Sequence, residues 1–186
     1  MNPSGESIRV VHPLFPVEGG GSIPTSPLQL HVGEISLDVA IRLNATWHSR
    51  LPDVVKNNVQ RVRHLVCFCA EHKGIYYASA IWTDPIARLL NGRNWLELRR
   101  FAIAPDAPKN TASRMLRIMR QQILGKWPQI ARLISYQDCD VHSGTIYKAA
   151  GWSAGAENKS GDWIRKSRDR RTAQAPGVKI RWEFAL

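Results

Sequence analysis

The sequence lacks the features of a membrane-spanning protein and of a secreted, disulfide-stabilised protein. No stretch reaches the run of about 20 apolar residues that a membrane-spanning helix needs. Residues 1–6 are mainly polar, and no apolar segment typical of a signal peptide follows them. There are only three cysteines, an odd number that does not suit a disulfide framework. We therefore expect a cytoplasmic protein with reduced thiols and no membrane partner.

The cysteines also lack the spacing of a structural zinc site. Cys67 and Cys69 are two residues apart in a predicted strand, so both side chains point to the same face. No Cys-x-x-Cys pair or His–Cys cluster has the spacing of a zinc finger. The pattern favours buried apolar thiols over metal ligands.

Acidic residues are scarce compared with basic ones. The chain has 15 Asp+Glu against 26 Lys+Arg, a formal net charge of +11 and a pI near 10.1. A field of this sign attracts polyanions, which makes nucleic acid the leading partner and leaves acidic cofactors and membrane surfaces as alternatives. Seven tryptophans are many for 186 residues. Their rings can stack on nucleobases, although core packing is the commoner use of any one of them.

Composition divides the chain into an arm and one domain. Residues 1–27 carry five prolines and three consecutive glycines, which predicts a poorly ordered N-terminal arm. Residues 28–186 suit a single domain. Hydrophobic periodicity predicts strands at 28–32, 62–70, 75–83, 95–103, 133–137 and 178–184, and helices at 37–48, 111–124 and 143–150. An antiparallel meander followed by a βαβ unit indicates a mixed α/β (α+β) fold with one sheet and flanking helices.

A predicted strand, a loop and a helix start follow one another at residues 95–116. The strand ends at Ile103, and a loop of small and polar residues leads into an amphipathic helix at Thr111. Free backbone N–H groups at such a helix start can bind phosphate, and Lys109 and Arg114 add positive charge. The arrangement is not specific by itself, because any strand–loop–helix unit offers it.

A second motif, from Gly144 to Trp152, has the form Tyr-x-x-x-Gly-aromatic. Together the two motifs resemble the core of the GCN5-related N-acetyltransferase (GNAT) family. The resemblance implies a mostly antiparallel sheet splayed between strands 4 and 5, acetyl-CoA or a related acyl-CoA as cofactor, and Tyr147 as the acid that protonates the departing thiolate. A tyrosine that only packs a helix on the sheet is the alternative. The cofactor contacts that it implies are Phe101, Ala102, Ile103, Lys109, Asn110, Thr111, Ala112, Ser113 and Arg114.

The phosphate loop departs from the GNAT pattern. That family usually has glycines in this loop, whereas residues 108–113 contain none. Either the hydroxyl groups of Thr111 and Ser113 replace a close backbone approach to the phosphates, or the donor sits differently.

Three longer strings resemble a narrower group, the Mom DNA-modification proteins of Mu-like bacteriophages. They are WHSRLP (47–52), LELRRFAIAPDAPKNTASRML (96–116) and LISYQD with SGTIYKAAGW (133–138 and 143–152). The resemblance covers about residues 28–152. It implies a GNAT-like enzyme that acts on double-stranded DNA, converts adenine to an N6-carbamoylmethyl form and protects phage DNA from restriction. The oligomeric state stays open, a dimer included.

Four side chains are candidates for proton transfer at the implied cleft: His48, Glu97, Asp138 and Tyr147. In the GNAT layout, His48 lines the acceptor side, Glu97 occupies a strand position where many members keep a general base, and an acid follows the fifth strand. His48 and Glu97, like Tyr147, each have a purely structural alternative. His48 can interact with a helix dipole, and Glu97 can form a salt bridge to a neighbouring arginine such as Arg63, Arg88 or Arg99.

A larger set is expected to contact DNA: Trp47, Ser49, Arg50, Arg99, Arg100, Ser135, Tyr136, Arg168, Arg170 and Arg171. Strand alternation predicts that Arg99 and Arg100 point to opposite faces, so that at most one reaches the cleft. The basic run at 165–171 predicts a projecting loop that follows phosphates, or a solvated loop with incidental charge. Reaching N6 inside a duplex requires the adenine to be flipped out.

Three further interpretations are less favoured. His48, Asp138 and Asp140 contain ligand types that suit iron, but their spacing is not diagnostic, so we expect no metal site. An ordinary N-acetyltransferase would acetylate a protein or a small amine. An inert DNA-binding module would bind DNA equally well after Tyr147 or His48 is replaced.

Overall fold

The computed structural model describes residues 23–47, 56–59, 62–90, 92–159 and 177–186. No helix in these ranges is long and apolar enough to cross a membrane. The helices are α1 (Leu37–Trp47), α2 (Lys56–Val59), α3 (Thr111–Lys126) and α4 (Thr145–Ala149). The strands are β1 (His31–Ile35), β2 (Leu65–His72), β3 (Ile75–Thr83), β4 (Trp95–Ile103), β5 (Arg132–Asp138), β6 (Ser153–Lys159) and β7 (Val178–Ala185).

The strands form one sheet in the order β1-β2-β3-β4-β5-β7-β6. Every neighbouring pair is antiparallel except β4 and β5, which are parallel and joined through α3. The predicted mixed α/β fold with a mostly antiparallel sheet and flanking helices is confirmed.

Strands β4 and β5 separate halfway along their length. They pair from Trp95↔Arg132 to Leu98↔Ser135. Beyond that point, β4 continues to Ile103 and β5 to Asp138 without pairing to each other. The predicted splay is therefore present, and we call the pair Leu98–Ser135, where the two strands part, the vertex.

A bulge in β4 changes which side chains face the core. Arg100 lies opposite Ile81 and Leu98 lies opposite Trp82, so Arg99 is an extra residue in the ladder. Before the bulge Leu96 and Leu98 belong to the core under α3, and after it Phe101 and Ile103 pack there. Arg99 and Arg100 therefore both project from the other face. The prediction that they point to opposite faces is wrong, because simple alternation does not allow for an inserted residue.

The main core lies between the sheet and helices α3 and α4. It includes Phe68, Trp82 and Met115, which are completely buried, and the rings of Trp152 and Trp182. A smaller core under α1 and α2 contains Cys67. Burial raises the pKa of Cys67 to about 12 and that of Cys69 to about 11, and both thiols are free. The prediction of buried apolar thiols is confirmed.

Several element predictions were incomplete. Helix α2 was not predicted, and the strand predicted at 62–70 runs from Leu65 to His72. The first strand begins at His31 and not at 28, because Ser26 and Gln29 form a capping box around a 3-10 turn, Pro27–Gln29. Strand β6 was not predicted, since Ser153–Lys159 lacks an alternating apolar pattern. Residues 1–22 of the predicted arm lie outside the described ranges, and the division at residue 27 stays a prediction.

Candidate active site

The start of α3 presents free backbone donors. Asn110 has a left-handed backbone (φ 68°) and turns the loop into the 16-residue helix. The amide of Thr111 donates to the carbonyl of Pro108 (3.2 Å) and that of Arg114 to Asn110 (3.0 Å). The amides of Ala112 and Ser113 have no backbone acceptor among the described residues. Two N–H groups at the positive end of a long helix suit a phosphate.

The side chains of this turn are used within the fold. The hydroxyl of Thr111 donates to the carbonyl of Pro108 (2.7 Å), and that of Ser113 donates to the carbonyl of Asn110 (3.1 Å). Each hydroxyl has one proton, so neither has a second one to give to a phosphate. Arg114 donates to the carbonyl of Leu30 (3.0 Å). Backbone amides, and not hydroxyl groups, are thus the donors that this glycine-free loop offers.

The second half of β4, residues 101–103, forms one wall of the cleft that opens where β4 and β5 separate. Phe101, Ala102 and Ile103 pair with β3 on one side, and no strand that the structure describes pairs with them on the side of β5. The backbone groups along that edge are therefore available to an extended ligand chain in the cleft.

The hydroxyl of Tyr147 lies at the vertex, 2.8 Å from the hydroxyl of Ser135. Its ring stacks on Trp182 with 5.3 Å between centroids and makes an edge contact with Trp152. Burial raises the pKa of Tyr147, although the hydrogen bond to Ser135 partly opposes that shift. The phenol therefore keeps its proton at neutral pH and holds it beneath the cleft.

A glycine sets the position of Tyr147. Gly144 begins α4 with φ 73°, and a Cβ placed there would lie 2.4 Å from the ring of Trp182 and 2.5 Å from Oε1 of Gln137. The indole N–H of Trp182 donates to that same oxygen at 2.6 Å. Only a residue without a side chain allows the helix to approach this pair so closely.

Glu97 lies one residue before the vertex, on the face of the sheet opposite α3. Its side chain is buried, and Oε2 accepts a hydrogen bond from the amide of Ile86 (3.1 Å). Burial raises the pKa of Glu97, while that hydrogen bond and the charges of Arg99 and Arg100 oppose the shift. Glu97 forms no salt bridge with a described residue, so the salt-bridge alternative is not seen. A buried carboxyl with a raised pKa is a candidate for accepting or giving a proton in catalysis.

The other predicted site residues lie on β5 and at the end of α1, or fall outside the described ranges. Asp138 ends β5 and accepts a hydrogen bond from the amide of Asp140 (3.1 Å). Tyr136 is exposed and hydrogen-bonds to Arg181. The indole N–H of Trp47 is buried without a partner among the described residues. His48, Ser49, Arg50, Arg168, Arg170 and Arg171 fall outside the described ranges.

In the part of the chain that the structure describes, no three His, Cys, Asp or Glu side chains are grouped to hold a metal ion. Asp138 and Asp140 are neighbours, but the third member of the suggested set, His48, is not described.

Sequence reasoning missed a hydrogen-bonded pair, His64 and Asp84, beside this site. Nδ1 of His64 lies 2.8 Å from Oδ1 of Asp84, and the backbone amide of His64 donates to Oδ2, also at 2.8 Å. The two residues lie 20 positions apart in different loops. No local spacing in the sequence connects them.

The fold has many solved counterparts at low sequence identity. The ribosomal-protein-S18-alanine N-acetyltransferase of Escherichia coli superimposes with a TM-score of 0.59 and 12% identity, over 84% of this chain and 94% of that one. A Bacillus subtilis acetyltransferase in complex with CoA gives 0.55 and 13%, over 85% and 98%. A GNAT-family acetyltransferase of Streptococcus pneumoniae gives 0.59 and 11%, over 84% and 99%. At these identities the likeness establishes the GNAT fold.

No curated protein sequence matches the chain. The profile of the Mom protein family matches residues 82–175, which are 94 of the 186 residues. The match includes β4, the start of α3, the vertex residue Ser135 and Tyr147. This protein therefore belongs to the Mom protein family, on a GNAT fold.

Proposed function

We propose that this protein is a DNA-modifying transferase that converts adenine in DNA to its N6-carbamoylmethyl form. The observation that carries the proposal is the vertex of the splayed sheet. A protonated phenol, Tyr147, lies on one face there, and a buried carboxyl, Glu97, lies near it on the other. Membership of the Mom family and the +11 charge support DNA as the substrate.

The cleft residues fit a CoA-type donor. The amides of Ala112 and Ser113, with Lys109 beside them, would bind its phosphates, and the unpaired edge of β4 at 101–103 would bind its extended chain. When bound, such a donor would supply an acyl group activated as a thioester. Direct transfer to N6 would release the thiol of the donor and form an N6-acyl adenine. A glycyl group transferred in this way is an isomer of the carbamoylmethyl group, so a rearrangement that needs no further reactant would complete the proposed product.

Tyr147 would act as the general acid. Its hydroxyl is held by Ser135 at the point where the cleft narrows, and burial keeps the phenol protonated. It is therefore positioned to give a proton to a sulfur that leaves at the vertex.

Glu97 would accept the proton that N6 of adenine loses. An exocyclic amine of adenine is a poor nucleophile, because its lone pair is delocalised, and it needs close positioning and a nearby base. Of the described candidates, Glu97 is buried one residue from the vertex and burial raises its pKa, whereas Asp138 lies at the end of β5. His48 stays a predicted alternative, as do the DNA contacts at Trp47, Ser49, Arg50, Arg168, Arg170 and Arg171.

Nucleoside mass spectrometry of DNA from cells that express the protein tests the proposal. We expect carbamoylmethyladenine with the wild-type protein and about 100-fold less, or lower, with Tyr147→Phe. Arg117→Ala removes a charge from the exposed side of α3 and should modify DNA as the wild type does. Unmodified DNA together with acetylation of a protein or small amine would identify an ordinary N-acetyltransferase instead. Unmodified DNA with undiminished DNA binding would identify an inert binding module.

A further inference from the structure

A cavity of about 600 Å³ lies between the segment before β2, the loop between β3 and β4, and the start of β4. We call it the arginine cavity. Its charged and aromatic lining consists of Arg63, His64, Asp84, Arg93, Trp95 and Arg99. A cavity of this volume can hold a small ligand or part of a larger one.

The lining of the arginine cavity carries more positive than negative charge, with three arginines against one aspartate. Its one acidic residue, Asp84, uses both carboxylate oxygens on His64, one on the ring and one on the backbone amide. None of the three arginines forms a salt bridge with a described residue. Three guanidinium groups around an open space favour an anion, and their planar donors match the oxygens of a phosphate.

Two neighbouring arginines, Arg132 and Arg181, form salt bridges with a described residue, unlike the three arginines that line the cavity. Arg132 and Arg181 approach the ring of Trp95, at 4.8 Å and 5.9 Å from its centroid, but both bind Glu183. Burial alone would raise the pKa of Glu183, yet the hydrogen bonds from these two arginines lower it, as expected for a paired carboxylate. Among the described residues, Arg63, Arg93 and Arg99 thus have no carboxylate bound to them, although Glu97 is close enough to Arg99 for their charges to interact.

The arginine cavity adjoins the vertex. Arg99 lines the arginine cavity and is also the bulge residue that directly follows Leu98 in β4. Neighbouring residues of a strand are about 3.3 Å apart, so Arg99 lies next to the vertex. Burial raises the pKa of Glu97, and the positive charge of Arg99 opposes that shift. Trp95 and Arg99 project from the face opposite α3, so the sheet separates this cavity from the free amides at the start of α3.

We propose that the arginine cavity binds a backbone phosphate of the DNA strand that carries the target adenine. The inference rests on the proposed function and adds the side from which DNA approaches. Arg93 and Arg99 hold the phosphate, and the adjacent nucleotide reaches the vertex from the face opposite α3. Donor and acceptor then enter the site from opposite faces of the sheet and do not compete for one set of cations.

The test measures the affinity of the purified protein for a fluorescent DNA duplex between about 50 and about 200 mM salt. Each lost phosphate contact should lower the slope of log K against log salt by about 1. We expect this change for Arg93→Ala and for Arg99→Ala, and the sum of both for the double variant. Arg117→Ala removes the same charge from α3 and should leave the slope unchanged. Arg99→Lys keeps a cation and should retain most of the slope, which separates lost charge from lost folding.

A double variant with wild-type thermal stability and a wild-type slope would overturn the proposal. So would competition in which CoA displaces DNA and Arg93→Ala weakens CoA binding, because the cavity would then serve the donor. The proposed function fails separately. If the variants lower the slope but DNA from cells that express the wild-type protein contains no modified adenine, the proposed reaction is wrong and the phosphate site stands. If that DNA contains modified adenine but the variants leave the slope unchanged, the phosphate site is wrong and the proposed reaction stands.

Discussion

On the face of the sheet that carries α3, the vertex is surrounded by packed aromatic rings, whereas on the other face it is surrounded by charges. Tyr147 stacks on Trp182 and contacts Trp152, so its hydroxyl has one position. Across the sheet, Arg99 lines an open cavity, and the buried Glu97 lies two residues before it in β4. Close packing transmits any change in shape, while charges near solvent respond to pH, salt and ligands. Substitutions on the two faces should therefore affect the protein in different ways.

The largest effect is expected on the packed face, from Gly144→Ala. A left-handed backbone at a residue with a side chain costs about 1–3 kcal/mol, and overpacking against Trp182 costs about 1–3 kcal/mol more. Thermal or urea unfolding measures the loss. Gly125→Ala is the matched control, since its Cβ would meet nothing within 4 Å, and it should stabilise α3 by about 0.5–1 kcal/mol. If Gly144→Ala is as stable as the wild type, α4 does not depend on this close approach.

A smaller effect, confined to catalysis, is expected from Ser135→Ala. The change leaves the buried hydroxyl of Tyr147 without its partner and should reduce kcat about tenfold, with little change in KM. Ser79→Ala also removes a buried hydroxyl, one that binds Asn44 away from the vertex. Both variants should lose about 1 kcal/mol of stability. Equal kcat values in the two would remove Ser135 from the mechanism.

On the charged face, Glu97→Gln should change the pH profile of activity. Because burial raises the pKa of Glu97, the base form appears only as pH rises through that raised value, and activity should rise with it. The glutamine variant keeps an acceptor for the amide of Ile86 but should lack this rise. Glu34→Gln, at the surface beside Lys126, should retain the wild-type profile. An unchanged profile in Glu97→Gln would assign the base to another residue.

The same raised pKa has a consequence for stability. A carboxyl whose pKa is raised in the folded state stabilises the fold while it is protonated, and this contribution disappears as pH rises through the folded-state pKa. As pH rises from the ordinary pKa of a glutamate to the raised pKa of Glu97, the thermal stability of the wild type should therefore fall relative to that of Glu97→Gln. Parallel melting curves for the two proteins across the range would contradict the burial of an ionisable Glu97.

The smallest effect concerns the cysteines. With pKa values of about 12 and about 11, Cys67 and Cys69 hold little thiolate at neutral pH. A thiol reagent should label only Cys139, which is partly exposed, in the native protein and all three thiols after denaturation. Cys139→Ser should abolish native labelling without loss of activity. Rapid native labelling of that variant would show that the core under α1 opens.

Periodicity predicted the elements whose residues alternate or repeat cleanly. Strands β3 and β4 have the predicted boundaries, and α3 differs from prediction only at its C-terminal end. Helix α1 begins at the predicted residue, and its predicted last residue lies outside the described ranges. Hydrophobic spacing is a direct consequence of burial on one face, so these elements are visible in a single sequence. Strand β6 is an edge strand of small and polar residues, and its pairing with β7 leaves no such pattern.

The site was only partly predictable, because its geometry depends on contacts between distant positions. Tyr147 and the α3 start were identified from motif and resemblance, whereas the bulge at Arg99 and the His64–Asp84 pair follow from strand register and loop packing. The hydroxyls of Thr111 and Ser113 illustrate the limit. Composition suggests them as phosphate donors, and only the coordinates show them bound to backbone carbonyls.

Amide hydrogen exchange tests most directly whether the donor and the DNA reach the vertex from opposite faces. CoA should slow exchange in the first turn of α3, at Ala112 and Ser113, and leave the loop between β3 and β4 unchanged. A DNA duplex should slow exchange in that loop and at the start of β4, and leave the α3 turn unchanged. Protection of one and the same segment by both ligands would contradict the assignment of a donor face and an acceptor face.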